Sequence, residues 1–489
     1  MTLPILIVGA GPVGLTMASE LIRFGVPVRI VDKAGQRTDK SKALVIWSRT
    51  LELLDRGGGA APFISAGCRV GAVEFVAGDK AIGRITMEHV DSPYAFGLML
   101  PQSETERLLE ERLVVLGGKV ERSVEMISFA TDDTGAKVVL RHADGCEEPV
   151  ATPWLIGCDG AHSAVRHGVG AVFAGETMDS DWLLADVHLR GYPHPDTAIS
   201  VYWHQEGALV LFPISPGRYR VVADRPASGD ALPPTPTLAE VQALLDRRGA
   251  PGMVAFNPIW LSGFRINERK VAAYRYGHAF LAGDAAHIHS PAGGQGMNTG
   301  MQDAFNLAWK LALVERGACG GAILDSYSPE RSKVADAVLA MAGRMTEVGT
   351  LHNPIAQRLR NLAGHLMLGL SVVRDAMAQT MSEVTIGYPD SPLNGVHLEG
   401  GPGPRPGERV RPTAGQTPPG SGGDPRFALF ADPGPAIDGL LARFGRLLDP
   451  ALRPPLAHGA IWLVRPDGYV ACTSVDGAAI AAYLDRLVQ

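Results

Sequence analysis

The six residues Gly9-Ala10-Gly11-Pro12-Val13-Gly14 constrain this chain more than any other feature. They follow the wholly apolar, β-rich run Ile5-Leu6-Ile7-Val8 and precede apolar residues at helical spacing, Val13, Met17, Leu21 and Phe24, that stop at Gly25. Val26 to Val31 is a second β-rich run, ending in Asp32, so the opening 32 residues spell a complete strand–helix–strand unit. Such a unit serves a pyrophosphate. Gly9, Gly11 and Gly14 let backbone approach backbone and ligand, and the helix opened by Pro12 and Val13 offers unpaired N–H groups and partial positive charge. Asp32, 21 residues beyond Gly11, supplies a carboxylate for a ribose hydroxyl. The pattern points to a dinucleotide but does not separate NAD from FAD, because both present ribose and pyrophosphate.

With 489 residues the chain is long enough for about three domains. Its 58 glycines and 36 prolines predict many special backbone positions, without a collagen-like period. A net charge of −6 with no long run of either sign leaves no footprint for nucleic acid or an anionic membrane surface. Cys68, Cys146, Cys158, Cys319 and Cys472 show neither CxxC nor metal-ligand spacing, which fits a reducing, cytoplasmic setting and no metal. The apolar stretch Ile5 to Ile22 holds three glycines and a proline and lacks a basic leader, so it is read as neither a membrane span nor a signal peptide.

Between Trp182 and Asp224, runs such as Ile199-Ser200-Val201-Tyr202-Trp203 and Tyr219-Arg220-Val221-Val222 predict an inserted, mainly antiparallel sheet. From Asn298, the residues Met301, Ala304, Phe305, Ala308, Leu311 and Ala312 define an amphipathic helix closed by Gly317, and more helices follow to about Glu383. The stretch Gly400 to Pro425 is too rich in glycine and proline for a packed element and marks a boundary or crossing loop. A small α/β unit follows, with strands at Ala460 to Val464 and Tyr469 to Thr473 and a terminal helix.

Two further segments carry chemistry. In Phe280-Leu281-Ala282-Gly283-Asp284, an apolar strand delivers a carboxylate to a turn. The glycine-rich loop Pro291-Ala292-Gly293-Gly294-Gln295-Gly296-Met297-Asn298 then opens a helix. The second segment is Trp154-Leu155-Ile156-Gly157-Cys158-Asp159-Gly160, running on to Arg166. Together with the first motif, in this order, the segments resemble the single-component FAD-dependent aromatic hydroxylases related to p-hydroxybenzoate hydroxylase. The resemblance spans roughly residues 3 to 395, including Tyr327 and Pro329-Glu330-Arg331. It implies that Gly283 and Asp284 hold the ribityl chain. Pro291, Gly294, Gln295, Gly296, Met297 and Asn298 face the flavin ring, and Asp159 supports the flavin and the nicotinamide donor's pyrophosphate. Gln102 resembles a flavin-contacting glutamine. Lys42 stands where the family usually has an arginine, a point charge without the bidentate fork. Asp32 replaces the commoner glutamate.

The fold so implied is α/β: a Rossmann-like FAD-binding domain, an inserted mainly antiparallel β-sheet substrate domain and a small thioredoxin-like C-terminal domain. The expected divisions are 1–175 and 271–395 for the FAD-binding domain and its helices, 176–270 for the sheet, with 70–100 as a further source of strands, and 396–489 for linker and tail. The tail resembles that of the aromatic-polyketide and phenol hydroxylase branch through Trp462-Leu463-Val464-Arg465-Pro466-Asp467-Gly468-Tyr469-Val470; without CxxC, its expected role is structural or homodimer-supporting.

A single Gly-x-Gly-x-x-Gly leaves the nicotinamide donor without a Rossmann domain of its own, so NADPH or NADH is expected as a transient co-substrate. The implied reaction is hydroxylation of a small phenolic or polycyclic aromatic with O₂ through a C4a-hydroperoxyflavin. Baeyer–Villiger oxygen insertion and a non-enzymatic flavin-binding redox sensor are the alternatives. The halogenase signature Trp-x-Trp-x-Ile-Pro is absent. For the base that removes a phenolic proton, Tyr202 and His204, on one face of a predicted strand, are the candidates; His287 and His289 are read as packing or backbone-bonding residues.

Overall fold

The computed structural model describes residues 3–78, 80–229, 232–398, 401, 403–413 and 415–489. Gly400, Pro402 and Ala414 of the glycine- and proline-rich stretch lie outside the described residues.

The opening strand–helix–strand unit is the centre of a six-stranded sheet. Ile5–Val8 pairs in parallel with Val28–Asp32 on one side and Leu155–Gly157 on the other, with Ile7 opposite both Ile30 and Ile156. Val120–Arg122 and Ala279–Leu281 extend the parallel ladder outward, and Arg275–Tyr276 closes one edge antiparallel. The inner strands lie buried on both faces, which is why they read as unbroken apolar runs rather than as alternation.

The helix Pro12–Arg23 follows the first strand directly. Proline suits its first turn, where no intrahelical N–H bond is needed, and Gly25 at φ +73 turns the chain back after its end. It packs against the longer helix Gly296–Glu315. Their contact is close because Gly300 has no side chain: a Cβ there would come within 2.8 Å of Val13 Cγ2 and 3.1 Å of Gly283 Cα. The three glycine motifs are thus one packed unit.

A separate eight-stranded sheet runs in the order His287–Ile288, Val254–Lys270, Ala174–Arg190, Arg218–Arg225, Gly207–Ser215, Ala198–His204, Ala72–Ala77, Lys80–Thr86. All its pairings are antiparallel except that of Ala198–His204 with Ala72–Ala77. One face is covered by the helix Leu238–Arg248, which starts at a reciprocal cap between Thr237 and Glu240. The other face looks onto the strand Val45–Ile46, Trp47 and the helix Ser371–Met381.

At the C-terminal end, Ala428–Phe430, Ile461–Val464 and Val470–Ser474 form a three-stranded antiparallel sheet with the helices Pro435–Arg443 and Gly477–Val488. The turn between its last two strands penetrates the main body. Arg465 forms a fully buried pair of hydrogen bonds to Glu330, Nη1 to Oε1 at 2.6 Å and Nη2 to Oε2 at 3.0 Å, in the helix Tyr327–Gly349. Among the described residues, no helix is long and apolar enough to cross a membrane.

Candidate active site

The first strand and helix set up the phosphate end of the site. Gly9 has φ +100, and a Cβ there would lie 2.3 Å from the Cys158 carbonyl oxygen, so only glycine lets the ends of Ile5–Val8 and Leu155–Gly157 meet. Gly14 is equally crowded, its notional Cβ 1.9 Å from the Gly9 oxygen. Gly11 differs: no protein atom lies within 4 Å of where its Cβ would be. Gly9 and Gly14 therefore serve protein packing, while Gly11 leaves room beside the helix N-terminus for something other than protein. That N-terminus has no side-chain cap. Asp32 Oδ2 accepts from Ala10 N at 2.7 Å and Oδ1 from Ala34 N at 2.8 Å, which pins the carboxylate beside the loop with lone pairs to spare for a diol.

The second wall comes from Asp159 and Asp284. Asp159 Oδ2 accepts from Ala164 N at 2.7 Å and caps the short helix Ala164–Gly168, whereas Oδ1 is buried without a partner among the described residues. Burial raises its carboxyl above the ordinary range. Asp284 follows Gly283, whose φ of +60 and contact with Val13 make the turn. The residue is exposed to solvent, although protein crowds its carboxyl. That crowding pushes its carboxyl up, against the pull of His287 and Lys42. Lys42 thus acts on Asp284 through its charge, although it has no fork to offer a phosphate.

The third wall is the loop Pro291 to Gln295, where Gly293 and Gly294 take φ +84 and +65, ahead of the uncapped helix Gly296–Glu315. Asn298 accounts for the loop's shape. Its Oδ1 accepts from Trp47 N at 2.8 Å, and its Nδ2 donates to Val45 O at 2.8 Å and Gly294 O at 3.0 Å. The side chain is fully committed to protein, so Asn298 positions the loop. Trp47 adds a bond from Nε1 to Gly293 O at 2.9 Å. Gln102 is committed too: Oε1 accepts from Ala43 N at 3.1 Å and Nε2 donates to Glu106 at 2.9 Å, which holds the strand segment carrying Lys42. Met297 packs partly buried against the main core.

Behind the loop lies a buried charge network. Asp303 Oδ2 accepts from Gly283 N at 2.9 Å and His287 Nε2 at 2.8 Å, and Oδ1 from Arg331 Nε at 2.6 Å. Burial pushes the Asp303 carboxyl up, but Arg331 and His287 outweigh it and hold it below the ordinary range. His287 is thereby a packing partner of the Gly-Asp turn. His289 donates from Nδ1 to Ser290 O at 2.7 Å, and burial lowers its pKa to about 4, so the ring is neutral at physiological pH.

Strand parity decides where the base candidates lie. Tyr202 and His204 do share a face of Ala198–His204, but it is the face packed under the helix Leu238–Arg248. Tyr202 is 2% exposed among Leu209, Val241 and Leu245 neighbours, and burial raises its phenol to about 12. His204 lies near Arg247 and Arg248 of that helix, and burial lowers its pKa. The alternate residues Val201 and Trp203 lie on the opposite face, in the apolar cluster that also holds Trp47 and Val45. Sequence reasoning missed Trp47, and also the pair Arg220–Asp186, joined at 2.8 and 3.0 Å, whose guanidinium reaches back to Lys42 O at 2.8 Å. A charged residue at alternate positions of an otherwise apolar strand was the available signal.

A dinucleotide bearing a ribityl chain fits these residues: two uncapped helix N-termini, the opening at Gly11, the orphaned Asp159 oxygen and the carboxylates of Asp32 and Asp284 belong to the unit that the glycine motifs pack together. Comparison with known proteins agrees. A family model described as FAD binding domain matches residues 2–342. The chain is 37% identical to 6-methylpretetramide 4-monooxygenase of Streptomyces rimosus, over 96% of this chain and 90% of that protein. It is 34% identical to pentachlorophenol 4-monooxygenase of Sphingobium chlorophenolicum, over 70% and 64%. The solved anhydrotetracycline hydroxylase of Streptomyces rimosus superposes with a TM-score of 0.80 at 28% identity, covering 100% of this chain and 99% of the other. Motifs, cleft and relatives converge: this chain belongs to the FAD-dependent aromatic monooxygenase family.

Proposed function

We propose that the protein uses NADPH or NADH and O₂ to hydroxylate a phenolic or polycyclic aromatic at the eight-stranded sheet. The observation that carries this reading is Trp47. Its indole N–H holds the loop that faces the cofactor, while its ring belongs to the apolar cluster of Val201, Trp203 and Phe212 on the inner face of the sheet. One side chain ties the cofactor loop to an aromatic-lined, water-excluding wall. FAD, when bound, supplies the electron storage and oxygen chemistry.

The chain's own residues do the rest. Asp32, Asp159, Asp284 and Lys42 orient the cofactor's polar chain, and Gly11 leaves it room. Gln295, Gly296 and Met297 bring main-chain N–H groups and the positive helix end to the ring edge, where negative charge develops on reduction. Arg220 and Asp186, a buried pair on the sheet's inner face, are the polar point of the substrate wall and fix Lys42 through its carbonyl. The division into a cofactor domain at 1–175 and 271–395 and a substrate sheet at 176–270 is supported by the two sheets, with Ala72–Ala77 and Lys80–Thr86 lent to the second. A thioredoxin-like tail without redox activity is supported by its single cysteine, Cys472, buried with its thiol pushed up to about 12.

A homodimer is supported by the helix Pro354–Gly369, where Ile355, Leu359, Leu362 and Leu366 form an exposed stripe, each more than half exposed. Light scattering of the purified protein tests it. The free state of all five cysteines supports a reducing, cytoplasmic setting.

The decisive test of function is aerobic NADPH and NADH oxidation with a panel of phenols and polycyclic aromatics, coupled to product mass. Substrate-stimulated oxidation giving products one oxygen heavier is the expected result, and product structure separates ring hydroxylation from oxygen insertion. Stimulated oxidation yielding hydrogen peroxide alone from every compound overturns the reading.

A further inference from the structure

A second cavity, of about 330 Å³, lies between the helix Tyr327–Gly349 and the segment 380–391. Among the described residues, none of Asp32, Asp284, Trp47, Trp203 or Phe212 lines it, so it meets the candidate site only through Gln295, the last residue of the Pro291–Gln295 loop. One wall is a helical stripe: Val334, Ala337, Val338 and Met341 fall at i, i+3, i+4 and i+7. Ile386 and Tyr388 face it from the other side. The rim carries the ion pair Lys333–Asp390, Nζ to Oδ2 at 2.8 Å, both side chains mostly exposed.

Its buried end is Gln295, 2% exposed. Gln295 Nε2 donates to Thr380 O at 3.3 Å, but Oε1 has no hydrogen-bond partner among the described residues. A buried amide oxygen left unpaired costs about 1–3 kcal/mol, so a conformation that keeps it buried asks for a donor. Glu330 also lines the slot, but its carboxylate is committed to Arg465, Lys310, Asn306 and Ser391, so the unpaired Gln295 oxygen is the acceptor left to select a ligand with an apolar body and one hydroxyl or N–H. The volume, at the lower end of ligand pockets, admits one or two fused rings.

We propose that this cavity is a second ligand site, binding a hydroxylated aromatic of one or two rings, with the hydroxyl donating to Gln295 Oε1 and the ring between Val338 and Ile386. The ligand shares the chemistry of the proposed reactants, but its binding needs neither NAD(P)H nor turnover and stands apart from the oxygenation reading. Because Gln295 ends the Pro291–Gln295 loop, occupancy restrains the loop that Asn298 and Trp47 hold from the other strand.

The test counts 2-naphthol bound to the holoprotein by calorimetric titration without NAD(P)H. Ala337 is exposed, so Ala337→Trp fills the slot from its lip without disturbing the core, and Met341→Trp is an independent plug. The expected result is one equivalent fewer in both variants than in the parent, at unchanged flavin absorbance and circular dichroism. Naphthalene, lacking the hydroxyl, is expected to bind this site about tenfold more weakly, and Gln295→Met is expected to abolish that difference. No 2-naphthol binding by the parent, or equal stoichiometry in parent and both plugged variants, overturns the proposal. Failure to oxygenate any aromatic, with the missing equivalent intact, counts against the oxygenation reading alone.

Discussion

At the scale of single residues, the three glycines of the first motif make different demands on the chain. Gly11 sits at φ −77, a conformation any residue adopts, with open space where a Cβ would go. Gly11→Ala is therefore expected to leave the apo-protein's stability within about 0.5 kcal/mol of the parent. It should also weaken flavin binding about tenfold or more, because the methyl enters the phosphate's approach. Gly14→Ala meets the Gly9 oxygen and is expected to destabilise the apo-protein by about 3 kcal/mol. Thermal melts of flavin-stripped protein, paired with flavin titration, separate the two effects; equal stability loss in both variants contradicts the assignment. Glu383 offers a pH-dependent test. Burial pushes its carboxyl from 4.5 to about 8, with Arg331 opposing. An acid whose folded pKa exceeds its unfolded value contributes stability that is fully present below the unfolded value and lost as pH rises through the folded one. Between about pH 4.5 and 8 this group therefore lowers stability, and Glu383→Gln, which keeps the neutral shape, is expected to gain melting temperature over the parent on going from pH 5 to pH 8.5. A difference that stays constant across that range excludes the carboxyl as its source.

At the scale of elements, what sequence conveys depends on how far the information travels along the chain. The strand, turn and helix around Gly11, and the Gly-Asp turn at 283–284, are local: apolar runs, glycine spacing and a carboxylate within one unit announce them. The inserted sheet was legible as β-rich runs, but which face of Ala198–His204 meets the cofactor was not. Parity places Tyr202 with His204, yet only the packing of Leu238–Arg248 decides which set is buried behind the sheet. Tyr202→Phe is accordingly expected to leave kcat within about twofold, where loss of a true general base lowers rate about a hundredfold or more; a drop of that size, with loss of the alkaline limb of the pH profile, restores Tyr202 as a base. Trp47 and Asn298 stand 251 positions apart, and no pattern within either segment marks their bond. Asp303 carried a local signal that went unread. A carboxylate amid the buried positions of Gly296–Glu315 signals a partner, and it finds three. Asp303→Asn leaves Arg331 buried without its counter-charge and is expected to destabilise the protein by about 3–5 kcal/mol. Flavin affinity should fall with it, since Gly283 loses an acceptor. Denaturant melts with and without FAD measure both.

At the scale of the whole molecule, the C-terminal unit is joined to the cofactor domain through charge rather than through an apolar seam alone. Arg465 reaches Glu330, which also accepts from Lys310 Nζ at 2.7 Å and Asn306 Nδ2 at 2.7 Å on the helix that begins at the flavin loop. Burial pushes the Glu330 carboxyl up, but Arg465 and Lys310 hold it well below the usual carboxylate range. Asp467 of the same turn accepts from Arg465 at 2.6 Å and, through its carbonyl, from Arg49 at 2.7 Å on the helix Ser48–Arg56 that follows Trp47. One turn of the tail therefore braces both elements that hold the Pro291–Gln295 loop. A buried pair of this kind contributes little over an apolar substitute, but removing one member strands the rest. It follows that the tail and the cofactor domain unfold together. In the parent, far-ultraviolet circular dichroism and flavin fluorescence are expected to report one coincident thermal transition. Arg465→Ala, which leaves Glu330 and Asp467 without their shared counter-charge, is expected to lower that transition by about 3–5 kcal/mol and to release flavin at the same temperature. Arg465→Met, of similar reach but neutral, leaves Asp467 without its guanidinium partner and Glu330 with Lys310 as its remaining counter-charge, and should recover no more than the packing share. Two separate transitions in the parent, or an Arg465→Ala protein in which only the tail melts early while flavin stays bound, would show that the turn is a passive contact and that the loop is held from the cofactor domain alone.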